Sequence, residues 1–263
     1  MNLGIQGRSA VVCAASRGLG YAVARGLAQE GARLTICSRV RENIERAAER
    51  IRQETGAEVV PVVADVSDPH QALQVVSEAR KAYGQVDILV TNAGGPPPGG
   101  LFETPPERYD QAHRLTLMSV VTLVRAVAEE MKARRWGRIV NLTSMSVKEP
   151  VPSLILSNTA RAAVVAFAKT AATELAPYNV TVNNIATGFI LTERITELAT
   201  ARAQSHGTSP EEEVQKMAAQ IPMGRMGRPE ELANVVVFLA SEAASYLTGA
   251  TIQVDGGLIR SLL

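Results

Sequence analysis

Residues 9–20, SAVVCAASRGLG, decide the fold of this chain, because they join a strand to a helix through a turn of small residues. The apolar run at 10–13 is too short for a helix and is typical of a buried strand, whereas the segment after Gly20 has a helical pattern. Such a turn brings unpaired backbone N–H groups and the positive end of a helix to one point, and Gly18 and Gly20 leave the backbone open to a phosphate group. The spacing matches neither GxGxxG nor a P-loop, so a plain strand-to-helix turn is the alternative interpretation.

Strand-like runs alternate with helical patterns along the rest of the chain. Strands are predicted at 33–37, 59–63, 87–91, 138–142, 180–185 and 251–254, and helices at 19–29, 40–54, 106–133, 154–176 and 230–240, with one more ending at Tyr83. This alternation indicates βαβ crossovers and a parallel sheet covered by helices on both faces. No change of composition marks a linker, so residues 1–263 are predicted to form a single α/β domain with a doubly wound sheet.

Composition narrows the possible partners. The 263 residues are 46% apolar and carry a formal net charge of +1 with interleaved signs, which predicts neither a nucleic-acid nor a membrane partner. We expect a cytoplasmic protein, because no leader and no apolar run of about 18 residues occurs. Cys13 and Cys37 are predicted to be buried thiols, and the histidines are too scattered for a metal site.

The end of the second strand discriminates between dinucleotides. NAD-binding sheets commonly carry an acidic residue there, which holds the adenosine ribose. This chain has Ser38 and Arg39 instead, and Arg17 lies in the glycine turn. Guanidinium groups suit a 2′-phosphate, so the sequence favours NADP(H) over NAD(H). Solvated surface arginines are the alternative.

With these features the chain resembles the short-chain dehydrogenase/reductase family, and within it the 3-oxoacyl-(acyl-carrier-protein) reductase-like group. The resemblance covers residues 7–257 and depends on AASRGLG at 14–20, Asp65-Val66, TNAG at 91–94, GRIVNLTS at 137–144, ATGFILT at 186–192, GRMGRPEELA at 224–233 and VDGG at 254–257. It implies a Rossmann-type sheet of seven parallel strands, an NAD(P)(H) cofactor, and a helical lid at about 191–222 that selects the substrate. Many members are tetramers, and the apolar tail at 258–263 also suggests a homo-oligomer, a tetramer or a dimer.

The resemblance also assigns the cofactor contacts by position. The glycine turn would face the pyrophosphate. Ser38 and Arg39 would face the adenosine ribose, as would the loop after the fourth strand. Asp65 and Val66 would face the adenine. Ile190 and Thr192 would hold the nicotinamide carboxamide. The implied cofactor-binding residues are Ala14, Ser16, Arg17, Gly18, Leu19, Gly20, Ser38, Arg39, Asp65, Val66, Asn92, Ala93, Gly94, Ile190 and Thr192.

The catalytic positions depart from the family. The family uses Asn, Ser, Tyr and Lys, with Tyr and Lys one helical turn apart. Alignment of RAAV with the family's KAAV places Ser157 in the Tyr position and Arg161 in the Lys position, while Thr116 takes the place of Asn and Ser144 is kept. The glycine turn begins with Ala14 where the family has Gly, and Thr187 replaces Pro.

Ala14 and Thr187 raise the interpretation that the fold no longer binds the dinucleotide; apart from that, these departures leave two functions open. One is an NADPH-dependent oxidoreductase that reduces a carbonyl of a small molecule or an acyl thioester, with Ser144 and Arg161 polarising the oxygen. The other is a catalytically inactive nucleotide-binding or scaffold subunit. Lys148 and Glu149 are possible replacement proton donors, but a solvated surface pair is the favoured interpretation.

Overall fold

The computed structural model describes residues 2–262, apart from the side chain at position 201, and its centre is one sheet of seven parallel strands. The strand order is β3-β2-β1-β4-β5-β6-β7, which reverses direction at β1 and so confirms the doubly wound sheet. The strands are β1 Ser9–Val12, β2 Arg33–Ser38, β3 Val59–Val63, β4 Ile88–Thr91, β5 Gly137–Leu142, β6 Val180–Thr187 and β7 Thr251–Val254.

Helices cover both faces of this sheet. They are α1 Gly18–Gln29, α2 Arg41–Thr55, α3 Pro69–Tyr83, α4 Pro106–His113, α5 Ser119–Arg134, α6 Ile155–Leu175, α7 Glu193–His206, α8 Pro210–Ala218 and α9 Pro229–Leu239. Alternate strand residues point to opposite faces, so Val12 packs in the core under α1, α2 and α9, and Val11 packs in the core under α3, α5 and α6. Burial on both faces explains why the strands are continuous apolar runs.

The helix predicted at 106–133 is confirmed in its extent, but it is not a uniform α-helix. A π-helical turn, Arg114–Met118, separates α4 from α5. Such a turn inserts one extra residue into the helical ladder, and it occurs frequently at functional sites. The side chain of Thr116, in the middle of this turn, is buried.

The polar segment predicted as helical at 193–220 forms the two helices α7 and α8. Ser209 caps α8 in a reciprocal capping box with Glu212. This pair of helices has a small apolar core of its own around Ala199 and Met217, separate from the two cores against the sheet.

Cys13 and Cys37 are both buried free thiols, as predicted. In the single chain the apolar tail, from which the sequence predicts a homo-oligomer, is largely exposed. Leu258 packs beside the core of α7 and α8, Leu262 is fully exposed, and position 263 lies outside the described residues. Within residues 2–262, no helix combines the length and the apolarity needed to cross a bilayer.

Candidate active site

Most of the sequence-predicted residues lie in the loops at the carboxyl ends of the strands, and the others lie in the first turn of α1, in the π-helical turn and on α6. The loops after β1, β2, β3, β4 and β6 carry the predicted cofactor contacts, and Ser144 directly follows β5. Ser157 and Arg161 lie one turn apart on the buried face of α6, and Thr116 lies in the π-helical turn. The crevice at this edge is where open α/β sheets bind their ligands.

The turn between β1 and α1 is compact and leaves backbone N–H groups available. Ala14 adopts a left-handed conformation with φ 49°, and Gly18 adopts one with φ 57°. A Cβ on Gly20 would overlap the carbonyl oxygen of Ala14, so only glycine allows this close approach. Helix α1 has no side-chain cap at its first turn, which leaves its N-terminal N–H groups free for an anion.

The end of β2 carries an unpaired cation and no carboxylate. The Ser38 hydroxyl donates to the carbonyl oxygen of Val40 at 3.4 Å. Arg39 is exposed and forms no ion pair within the described part of the chain. Arg17 is different, because its Nη1 contacts Oε1 of Glu197 on α7 at 2.6 Å. The two predicted phosphate ligands therefore differ, since Arg17 must exchange a protein partner for a ligand.

The other predicted cofactor residues are largely engaged by the protein itself. Asp65 accepts hydrogen bonds from the backbone N–H of Ser67 at 2.9 Å and from its hydroxyl at 2.7 Å, and Val66 is buried beside it. Asn92 Nδ2 donates to the carbonyl oxygen of Ala14 at 3.5 Å, which joins the loop after β4 to the glycine turn. Ala93 and Gly94 follow in that loop.

The loop after β6 reaches the glycine turn from the other side. Ile190 is buried, and the next residue pairs with Gly227 through a 2.8 Å backbone hydrogen bond. Thr192 precedes α7, and its methyl group would lie 3.5 Å from a Cβ on Gly18. Residues 18 and 192 therefore line the same crevice, which is the juxtaposition the predicted cofactor site requires.

Arg161 is the most unusual charge in the crevice. Its side chain is buried, and its Nη1 donates to the carbonyl oxygen of Leu142 at 3.2 Å. It lines a cavity of about 10 Å³ together with Asn92, Thr116 and Thr143. Burial, and to a lesser degree the charge of Arg194, lowers the pKa of Arg161 to about 10, and no carboxylate counters these effects. The guanidinium is thus a permanent donor at neutral pH, held where charges are costly.

Thr116 shares this cavity, whereas Ser144 and Ser157 do not line it. The hydroxyl oxygen of Thr116 is buried without a hydrogen-bond partner, which marks a place for a ligand or water. The Ser144 hydroxyl accepts from the backbone N–H of Ser146 at 3.2 Å. The Ser157 side chain is buried on α6 and has no hydrogen-bond partner within residues 2–262.

Comparison with known proteins decides the family. The family model described as enoyl-(acyl carrier protein) reductase matches residues 13–259. The chain is 36% identical over 261 residues to dehydrogenase/reductase SDR family member 4 of Bos taurus, covering 98% of this chain and 89% of that protein. It is 32% identical over 256 residues to the NADPH-dependent reductase BacG of Bacillus subtilis (strain 168), covering 97% of this chain and 99% of that protein. The chain belongs to the short-chain dehydrogenase/reductase family.

A solved structure agrees with this assignment. L-Sorbose reductase from Gluconobacter frateurii, in complex with NADPH and L-sorbose, superimposes with a TM-score of 0.96 at 35% identity, and 100% of each chain is covered. The short-chain dehydrogenase/reductase fold and membership are thus established at the level of sequence and structure. The protein is an oxidoreductase with a nicotinamide cofactor.

One charged residue near this family's ligand crevice escaped the sequence analysis. Arg194, in the first turn of α7, places its guanidinium against the loop after β4: a Cβ on Gly95 would lie 3.1 Å from Nη2 of Arg194. The signal that could have found it is its position two residues after Thr192. An exposed arginine at the start of a polar helix is otherwise typical of a solvated face.

The replacement proton donors considered above are not drawn into the cavity. Lys148 is half-buried and Glu149 is exposed, and neither lines the cavity beside Arg161. Tyr109 packs against the small apolar cluster formed with Leu156 and Ala160 of α6. Among residues 2–262, no group of three or more potential ligands comes together in a way that could hold a metal ion.

Proposed function

We propose that this family member reduces a carbonyl group with NADPH, and that it does so without the family's Tyr and Lys pair. Thr116, Ser144, Ser157 and Arg161 stand at the four catalytic positions. The observation that supports this proposal is the buried guanidinium of Arg161, which faces a small cavity at the carboxyl edge of the sheet without a carboxylate partner. A buried, unpaired cation is costly to maintain, and such a cost is typical of a group that meets a negative charge during function.

The crevice residues fit the proposed cofactor. Gly18 and Gly20, with Ser16 and Leu19, would bind the pyrophosphate. Arg39, with Ser38 and Arg17, would bind the 2′-phosphate. The unpaired Arg39 and the absence of a carboxylate from β2 favour NADPH over NADH, and two similar proteins are named with NADPH. Asp65 and Val66 would face the adenine, and residues 92–94 would lie along the adenosine ribose. Ile190 and Thr192 would hold the nicotinamide carboxamide.

When bound, the cofactor supplies the hydride that is added to the carbonyl carbon. Arg161 and Ser144 donate hydrogen bonds to the carbonyl oxygen and stabilise the negative charge that develops there. Donors positioned in this way contribute about 2.7–4 kcal/mol each in other enzymes. Because Arg161 is already desolvated and held by the Leu142 carbonyl, it needs little reorganisation.

Proton delivery is the weak step of this site. A phenol with a pKa near 10 can be tuned toward neutrality at a cost of about 4 kcal/mol, whereas an alkanol begins near about 15.7. Ser157 is therefore a relay at most: its hydroxyl passes a proton to the alkoxide while it accepts one from water. Reduction of an electrophilic carbonyl is favoured over oxidation of an alcohol, because oxidation needs a base that this site lacks.

We further propose that α7 and α8 act as a lid over the crevice and that the protein forms a homo-oligomer. The separate small core of α7 and α8 allows them to move without disturbing the cores against the sheet. Exposed apolar side chains such as Phe102 and Tyr246 offer surface for self-association.

Two measurements test the proposed function. Titration with NADPH, followed by its fluorescence, should give a saturable change, and turnover should appear within a panel of ketones, diketones and 3-oxoacyl thioesters. Arg161→Met should abolish turnover while NADPH binding persists. Saturable binding without NADPH consumption on any member of the panel would contradict the proposal and favour a non-catalytic nucleotide-binding subunit.

A further inference from the structure

Arg194 and Arg161 bring two positive charges to one crevice. Arg194 is exposed at the start of α7, and its Nη1 and Nη2 would lie 3.5 and 3.1 Å from a Cβ on Gly95. Its charge acts on the buried Arg161 and makes the protonated form of that residue less favourable. Within residues 2–262, neither guanidinium has a carboxylate partner.

The acidic residues of α7 do not neutralise this pair. Glu197 is paired with Arg17 at 2.6 Å, and Glu193 points its Oε2 toward Gly18 in the glycine turn. Two cations that repel each other without a counter-charge favour the binding of an anion. The unpartnered hydroxyl of Thr116, buried in the same cavity as Arg161, independently marks the Arg161 end of the crevice as a place for a ligand.

The position of Arg194 points to the substrate end of the crevice. The loop it contacts continues through Pro96–Pro98 to Gly99, which pairs with Leu154 immediately before α6. The backbone N–H of Gly99 donates to the carbonyl oxygen of Ser153 at 2.7 Å. This loop therefore forms a wall between the end of β4 and α6, the helix that carries Ser157. An anion on Arg194 therefore lies along the wall that leads to α6.

We propose that Arg194 binds a carboxylate of the substrate while the substrate's carbonyl oxygen faces Arg161, so that the substrate class is an oxo acid. This inference rests on the proposed function and narrows it. The guanidinium group is suited to the task, because its planar fork forms two parallel hydrogen bonds with a carboxylate. The phosphates of the cofactor are the other source of an anion, and the test separates the two.

The experiment compares 2-oxo and 3-oxo acids with their methyl esters in the wild type, Arg194→Gln and Arg202→Gln. Arg202 is the matched control, because it is another exposed arginine of α7. The wild type should prefer the acids. Arg194→Gln should raise KM for the acid by about 10- to 100-fold, the loss of a charge-assisted pair, and leave KM for the ester within about twofold. Arg194→Lys should recover part of the loss, and Arg202→Gln should change neither value.

A second readout does not depend on turnover. Titration calorimetry of the NADPH-loaded protein with 3-hydroxybutyrate, and with its methyl ester, should show a preference for the acid that Arg194→Gln removes. Equal effects of Arg194→Gln on acid and ester, or a weaker affinity for NADPH itself, would assign Arg194 to the cofactor and overturn the inference. Reduction of esters without any preference for acids would overturn it while leaving the proposed function intact.

Discussion

Arg161 donates from Nη1 to the carbonyl oxygen of Leu142 at 3.2 Å, and this is the single hydrogen bond of its buried guanidinium within residues 2–262. The carbonyl group orients the side chain but does not neutralise it. Burial accounts for most of the lowering of its pKa to about 10. The guanidinium is therefore a desolvated cation at the position that the proposed mechanism assigns to it on α6.

Replacement of Arg161 by Met should stabilise the protein while it abolishes activity. The lowered pKa corresponds to an unfavourable burial of charge on the order of 3 kcal/mol, and Met fills similar space without that cost. Thermal unfolding should therefore shift upward by several degrees. Arg125→Met, on the exposed face of α5, is the control and should leave the midpoint almost unchanged. A lower midpoint for Arg161→Met would mean that the guanidinium stabilises the fold.

The charge of Arg161 also predicts a pH dependence. Reductase activity should fall as pH rises through about 10, where Arg161 loses its proton, with kcat/KM reporting the free enzyme. Stability should move in the opposite direction. The pKa of Arg161 is lower in the folded state than in the unfolded state. The loss of stability caused by burying its charge is therefore complete below a pH of about 10 and is relieved as the pH rises above that value.

Comparison of unfolding free energies between the wild type and Arg161→Met isolates this effect. The difference between the two proteins should narrow above pH 10. Tyr83, whose pKa burial raises to about 12, makes the folded state less stable in the same range, but it contributes equally to both proteins. A difference that stays constant to the highest measurable pH would contradict the assignment.

The left-handed conformation of Ala14 predicts a stabilising substitution. In this conformation a residue with a Cβ destabilises the folded protein by about 1–2 kcal/mol. Replacement by glycine removes this strain, but part of the gain is offset because glycine gives the unfolded chain more conformational freedom. Ala14→Gly should therefore stabilise the protein by about 0.5–1 kcal/mol in denaturant unfolding and bind NADPH at least as tightly. Ala15→Gly is the neighbouring control: it removes a buried methyl group without relieving strain, and it should destabilise.

Arg39 should set the preference between the two cofactors. Arg39→Ala removes one charge-assisted contact to the 2′-phosphate, worth about 1.5–3 kcal/mol, so kcat/KM for NADPH should fall by about 10- to 100-fold. The value for NADH should change little. Arg41→Ala, which breaks an exposed pair with Glu45 on α2, should affect neither cofactor. A parallel loss with both cofactors would show that Arg39 acts on the fold rather than on the phosphate.

The fold could be predicted from the sequence because short, continuous apolar runs, typical of buried strands, alternate with longer segments that have a helical pattern. The strand Thr251–Val254 is located correctly from local pattern alone. The π-helical turn at Thr116 was missed, because a single inserted residue hardly alters an apolar helical pattern. The conformation of Ala14 was also hidden, since the surrounding turn imposes it.

The catalytic region was only partly accessible to sequence reasoning. The alignment placed Arg161 on α6, but it could not reveal that the guanidinium is buried without a carboxylate partner. Arg194 was missed because its one local signal, the position two residues after Thr192, does not report the contact with Gly95, about a hundred residues away in the chain.

The most direct test of the proposed mechanism is the reductase rate of the double variant Ser157→Tyr, Arg161→Lys, measured on the substrate that the wild type reduces best. The kcat of the double variant should exceed that of the wild type, by up to the about 10²- to 10⁴-fold that a positioned general acid contributes, and the affinity for NADPH should be retained. An unchanged or collapsed kcat in a folded variant that still binds NADPH would contradict it, because the native pair would then carry proton transfer in a way that this site does not explain.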